Sequence, residues 1–189
     1  NFLLTGSVLD VDVNIDLEVN EIRRGWMALH QSNDDWLLSR TKVKFDRSEE
    51  DVVDIKTEYK NVVGLLNFNF LKSGVVESAK ITGDYRINNQ KVIFRKKQYQ
   101  LEVKTVESRN KVYFSNGIIK TLIYGGTNYR SCKNPEIKWA GDIDRDNKLD
   151  LIVGFDDDGE KNSSTCVFFS KLAKGNVLLK EGGCQFFSG

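Results

Sequence analysis

The sequence predicts a mainly β protein, an antiparallel meander folded into sandwich- or barrel-like sheets that ends in a C-terminal hairpin segment. Three observations carry that prediction. Leu9, Val11, Val13, Ile15, Leu17 and Val19 alternate strictly with Asp10, Asp12, Asn14, Asp16, Glu18 and Asn20, the period-two pattern of a strand with one face buried. Short apolar runs then recur down the chain, bounded by Gly, Asn, Asp and Ser turn residues. Finally, no heptad and no repeat of ~20–50 residues is present, which argues against coiled coils, solenoids and propellers.

The elements follow in order. Arg24-Gly25 reads as a turn, Trp26–His30 as a short strand, Asn33-Asp34-Asp35 as a turn and Trp36–Phe45 as a third strand. Residues 46–60 are ambiguous: Ser48-Glu49-Glu50-Asp51 offers a weak capping box, yet Val52-Val53 and Ile55 favour β structure. A surface turn and a strand are expected there. Val62–Phe70 is an apolar run, Lys72-Ser73-Gly74 a turn, and Val75–Tyr85 a strand broken near Gly83. Asn88-Asn89 suits a tight turn because Asn tolerates positive φ. Val92–Phe94, Tyr99–Val103 and Val112–Phe114 are strands, and Asn116-Gly117 is the strongest hairpin signal before Ile118–Tyr124. Gly125–Asn128 marks the expected boundary between a β domain, 1–128, and a C-terminal segment, 129–189, packed on it; a single domain over 1–189 is the alternative. Beyond it come strands at Leu151–Phe155 and Thr165–Phe169, an acidic turn Asp156–Glu160, a turn or helix at Ser170–Lys174, and a tail ending in Gly182–Phe187.

With 189 residues, 40% hydrophobic and 29% charged, the chain can bury a substantial core. Its net charge of +1 provides no global field for nucleic acid. Charge is nonetheless segregated. Residues 1–22 hold five acids and no Lys or Arg, whereas 91–104 hold Lys91, Arg95, Lys96, Lys97 and Lys104 against Glu102. Opposed or solvated strand faces explain this most simply, with a polyanion site on the basic strand as the sharper alternative. No apolar run approaches the ~18 residues of a membrane span. No signal-peptide pattern is read, and the strand-like opening Asn1–Gly6 is expected of a mature or trimmed chain. Cys132, Cys166 and Cys184 lack Cys-x-x-Cys spacing, which disfavours zinc. They allow one disulfide, Cys132–Cys184 or Cys166–Cys184, in an oxidising compartment.

One stretch carries chemistry. Asp142, Asp144, Asp146 and Asp150 occupy positions 1, 3, 5 and 9 of a loop running straight into an apolar strand. A hard cation such as Ca²⁺ takes ~6–8 oxygens in irregular geometry. The spacing assigns side-chain oxygens to Asp142, Asp144 and Asp146, a backbone carbonyl to Lys148 and a closing carboxylate to Asp150. The competing reading is a solvated acidic turn, but four carboxylates so close repel one another without a cation.

The run Gly141-Asp142-Ile143-Asp144-Arg145-Asp146-Asn147-Lys148-Leu149-Asp150-Leu151-Ile152-Val153-Gly154 resembles the calcium loop of FG-GAP and VCBS-type secreted repeats. It is also similar to dockerin and EF-hand loops, without their following helix and with Val153 at position 12 in place of Glu. Asn147 stands where Gly is usual, the next-best residue for a left-handed backbone. One copy cannot build a multi-bladed propeller, so the resemblance implies a loop and hairpin carrying the same five ligands, not an adhesive activity. The surrounding C-terminal segment, from Trp139 to Phe168-Phe169-Ser170, resembles uncharacterised bacterial exported proteins. A periplasmic or secreted location is what that implies.

Other chemistry is weaker. His30, the single histidine, reads as a strand-edge core residue. Asp34-Asp35 and Glu49-Glu50-Asp51 are candidate glycosidase acids in turn-like text, where solvation is the default. Trp26 and Trp36 suggest cross-strand packing, with a carbohydrate platform as the alternative. The chain is therefore expected to be an exported, monomeric, calcium-binding β module for a protein or glycan ligand, more readily than an enzyme. A secreted glycan hydrolase or a cell-surface adhesion or inhibitor domain is the alternative.

Overall fold

In the computed structural model, residues 1–9, 25–49, 52–107, 109–125, 132, 134–156 and 163–187 are described. The expected strand at 9–20 beyond Leu9, the acidic turn at 157–160 and the boundary at 126–128 lie outside them. The first strands are β1 (Phe2–Leu3), β2 (Gly6–Leu9), β3 (Met27–Ser32), β4 (Asp35–Arg40), β5 (Lys44–Glu49), β6 (Val52–Lys56), β7 (Val62–Leu66), β8 (Gly74–Ser78) and β9 (Lys80–Thr82). They continue with β10 (Lys91–Phe94), β11 (Lys97–Val106), β12 (Arg109–Ser115), β13 (Lys120–Tyr124), β14 (Glu136–Asp142), β15 (Asp150–Asp156), β16 (Ser163–Phe169) and β17 (Lys180–Phe187). The protein is mainly β, and every strand pairing is antiparallel.

Nine strands form one sheet in the order β1-β7-β3-β4-β8-β14-β15-β16-β17. It curls until its edges meet: Leu4 N donates to Gln185 Oε1, and Gly183 lies against Phe2. The result is a nearly closed barrel. A five-stranded sheet, β13-β12-β11-β10-β9, and a three-stranded sheet, β2-β6-β5, pack on its outside. The pairing of β14 with β8, Gly141 opposite Ser78 and Asp142 opposite Glu77, makes the C-terminal strands a continuation of the N-terminal sheet.

The layering explains the apolar runs. Alternate residues of β15 and β16 enter different cores: Ile152, Val167 and Phe169 fill the barrel, while Leu151, Val153, Cys166 and Phe168 meet the five-stranded sheet. A strand covered on both faces reads as continuously hydrophobic rather than alternating. On the other side, Ala28 and Leu65 join Trp26, Val43 and Ile55 beneath the three-stranded sheet. Cys166 and Cys184 are directly opposed on β16 and β17 and form the disulfide. Cys132 is buried and takes no part in it.

Several expectations need correction. The strand Trp36–Phe45 is two, because the chain breaks at Thr41–Val43; there Thr41 Oγ1 bonds Thr57 Oγ1 and Glu58 Oε2 and ties the crossing between sheets. Val62–Phe70 is strand only to Leu66, and Phe68 and Phe70 instead pack their rings on Phe169. Val75–Tyr85 divides at Ala79 between two sheets, followed by a single 3-10 turn, Tyr85–Ile87. The Gly-rich tail is strand β17, held by pairing with β16. Trp36 packs edge-on against Trp139, 6.0 Å between ring centroids, and not against Trp26, which belongs to another core. No helix among the described residues is long and apolar enough to cross a membrane.

Candidate metal centre

The acidic loop is the connection between β14 and β15. Both its ends are fixed by packing: Ile143 is sunk in the barrel core and Leu149 in the core beneath the five-stranded sheet. Gly141 permits the entry, since a Cβ there would meet Glu77 O at 2.2 Å and the Trp139 ring at 2.4 Å. Arg145 (φ 62°) and Asn147 (φ 67°) are left-handed, so the loop makes two sharp bends where only the second has a residue suited to it. Arg145 is held by its side chain, with Nε donating to Val75 O at 3.1 Å and Nη2 to Lys72 O at 3.3 Å.

The aspartates organise the backbone. Asp142 Oδ1 accepts from Asp146 N (3.0 Å) and its Oδ2 from Asn147 N (2.9 Å). Asp144 Oδ1 also accepts from Asp146 N (3.1 Å), and Asp146 Oδ1 accepts from Lys148 N (2.9 Å). These bonds turn the carboxylates of Asp142, Asp144 and Asp146 toward one another, with one oxygen of each within 4.8 Å of the others.

Asp150 is placed differently. It is fully buried, and its Oδ2 accepts from Ile143 N (2.9 Å) while Oδ1 accepts from Ser170 N (2.9 Å) and Ser170 Oγ (3.2 Å). The residue closes the loop and clamps it to the turn after β16; the three-carboxylate cluster forms without it. Lys148 sits at the second bend with an exposed side chain, its Nζ 3.9 Å from Asp146 Oδ2.

Asp144 Oδ2 is the anomalous atom. It is buried and accepts no hydrogen bond; the Asp144 side chain is wholly covered, and the nearest cation, Lys171 Nζ, stands 3.9 Å away. Arg95 Nη2 is likewise 3.9 Å from Asp142 Oδ2. Cations thus surround the cluster without reaching hydrogen-bond distance. Burial pushes the Asp142 and Asp144 carboxyls above their ordinary range, with the Asp146 charge adding to both. Burial raises Asp150 much further, against the opposing bond from Ser170 N. The loop carries a local excess of negative charge that a cation would relieve.

Sequence reasoning missed Ser170, Lys171 and Arg95. Ser170 Oγ lies 3.3 and 3.2 Å from the two Asp146 oxygens as well as on Asp150. Arg95, from the β10–β11 turn, donates through Nη1 to Asn147 Oδ1 (2.6 Å) and through Nε to Glu77 Oε2 (2.9 Å). The only available signal for Ser170 was a polar residue ending an apolar strand, which becomes meaningful once β16 is known to lie beside β15.

The other candidates stay apart from this cluster. His30 is buried, with Nε2 3.0 Å from Ser39 Oγ and its ring stacked on Tyr59. Asp34, in the β3–β4 turn, and Asp35, the first residue of β4, are both exposed. Trp26 and Trp139 are each 2% exposed, which removes them from any stacking surface. Glu181 lies near Cys166 and Cys184, but those sulfurs are bonded to each other. Comparison with protein-family models, with curated proteins and with solved structures finds no match for this chain.

Proposed function

We propose that the 142–150 loop binds one Ca²⁺ and that the ion stabilises an exported β module whose task is binding or structural. The observation that carries this is Asp144 Oδ2, a buried carboxylate oxygen with no donor, set among three converging carboxylates. Leaving such an acceptor unsatisfied costs ~1–3 kcal/mol or more. Loop bonds already use the other oxygens, so the backbone is organised in advance of the ion.

Asp142, Asp144 and Asp146 supply carboxylate oxygens and Lys148 its carbonyl, while Asp150, the closing carboxylate of the spacing, has both oxygens engaged by Ile143 N and Ser170 and holds the loop in place. An all-oxygen, carboxylate-rich set in an irregular loop favours Ca²⁺ over Mg²⁺, which demands near-octahedral geometry and sheds water reluctantly. The FG-GAP-like character of the loop belongs to the same proposal. Export is supported by the Cys166–Cys184 disulfide, since such bonds persist in oxidising compartments. A protein or glycan ligand is the partner class that fits this reading.

Thermal unfolding in excess chelator, then in Ca²⁺ or Mg²⁺, tests the metal. Linkage predicts about 2.7 kcal/mol of added stability at one hundred times the dissociation constant, specific to Ca²⁺ and absent in Asp144→Ala. Superimposable melts in all conditions would reject the site.

A further inference from the structure

Behind the acidic loop, a cleft of about 270 Å³ opens between the β10–β11 hairpin and the segments 147–149 and 178–179. Its floor is apolar. Phe94, Phe114, Leu149 and Leu179 are buried there, and the half-buried Tyr99 stacks on Phe114 with centroids 5.6 Å apart. Its rim is cationic, formed by Arg95, Lys97 and Lys148, and no Asp or Glu lines it among the described residues. Of the basic stretch 91–104, Arg95 and Lys97 stand at this rim.

The three cations are not equivalent. Arg95 is engaged by Glu77 and Asn147, and Lys148 is shared with Asp146 at 3.9 Å. Lys97 is exposed and has no carboxylate partner among the described residues. The uncompensated charge at the rim is therefore close to one unit. The volume lies just below the ~300–1,000 Å³ usual for small-molecule sites, room for one ring and not for a chain of them.

We propose that this cleft binds a small organic monoanion, a carboxylate attached to a single aromatic or aliphatic ring. The ring packs on the accessible faces of Tyr99 and Leu178, above the buried Phe114 and Leu179, and the carboxylate meets the Lys97 and Lys148 ammonium groups. This surface pairs an apolar body with a charge-assisted contact, the combination that fixes both affinity and orientation in small pockets. The site stands independently of the calcium reading, although segment 147–149 forms one wall.

The experiment is a titration of the whole protein with 3-phenylpropionate, followed by the NMR signals of the Tyr99 and Phe114 rings, in calcium and in chelator. The neutral isostere 3-phenylpropionamide and the dianion phenyl phosphate are run beside it. Saturable shifts of both rings are expected with the carboxylate, and the amide should bind about tenfold more weakly, the loss of one charge-assisted contact. Lys97→Gln with Lys148→Gln should erase that difference while leaving amide binding in place. Leu178→Trp, a substitution at a half-buried rim position, should fill the cleft and abolish both. Absence of ring shifts in either condition, equal binding of acid and amide, or preference for phenyl phosphate would overturn the proposal. Binding that survives in a protein whose melts ignore calcium would reject the metal site and leave this one standing.

Discussion

His30 and Asp144 are both titratable side chains removed from water, yet the protein treats them in opposite ways. His30 has Ser39 on Nε2 and Tyr59 across its face, so its polar atom and its ring are both accommodated. Asp144 has one oxygen bonded to Asp146 N and the other buried with no donor. Burial by itself therefore says little about function. An incomplete shell around a buried carboxylate says more, because a buried acceptor without a donor is rare and calls for an explanation.

The largest effect expected from sharpening this contrast lies at Asp150, the acid beside Asp144 whose shell is complete. Asp150→Asn replaces an acceptor oxygen by a donor facing Ile143 N or Ser170 N. A loss of about 3 kcal/mol is expected from the stranded buried N–H, read by denaturant unfolding in chelator. An unchanged midpoint would show that Asp150 does not anchor the loop.

Asp144→Ala should behave oppositely. In chelator it removes a buried carboxylate that has one oxygen without a donor, so stability should hold or rise; in calcium it forfeits the ~2.7 kcal/mol of linkage at one hundred times the dissociation constant. Equal losses in both conditions would make Asp144 an ordinary structural residue. A smaller change is expected for Ser170→Ala, which withdraws the hydroxyl bridging Asp146 and Asp150 but keeps the Ser170 N contact. About 1 kcal/mol in chelator is the expected cost of the hydroxyl's bonds.

The same contrast shows what sequence can carry. The Asp spacing is local, so the convergence of Asp142, Asp144 and Asp146 was readable before any fold was known. Strand character was readable too, through alternation and turn residues. The barrel was not. Leu151–Val153 and Cys166–Phe169 are unbroken apolar runs because two cores flank them, and a continuous run does not say which partner covers which face. Gly182 is a glycine in a strand because neighbouring rings take the space a side chain would fill: a Cβ there would come within 2.7 Å of the Phe169 ring. Arg95 and Lys96 make the β10–β11 turn with positive φ, without the Asn or Gly that marks such turns. Ser170 and Arg95 reach the acidic loop only through tertiary packing, over separations that no motif spans.

The smallest effect tests the satisfied member of the pair. Burial lowers the His30 pKa from its ordinary 6.5, partly opposed by the Gln31 backbone. Between the unfolded value and this lowered folded value the unfolded chain holds the extra proton, so stability rises with pH across that window and is lost as pH falls through it. The melting temperature in chelator should therefore drop below pH 6.5, by an amount that His30→Gln removes. Carboxylates with raised folded values act in the reverse sense, gaining stability on acidification, which is why the variant and not the raw profile isolates His30. A profile identical in wild type and His30→Gln would mean that the imidazole accepts its proton without disturbing the Ser39 and Tyr59 contacts. The buried histidine would then be no more closed to change than the aspartate, and the contrast between them would fail.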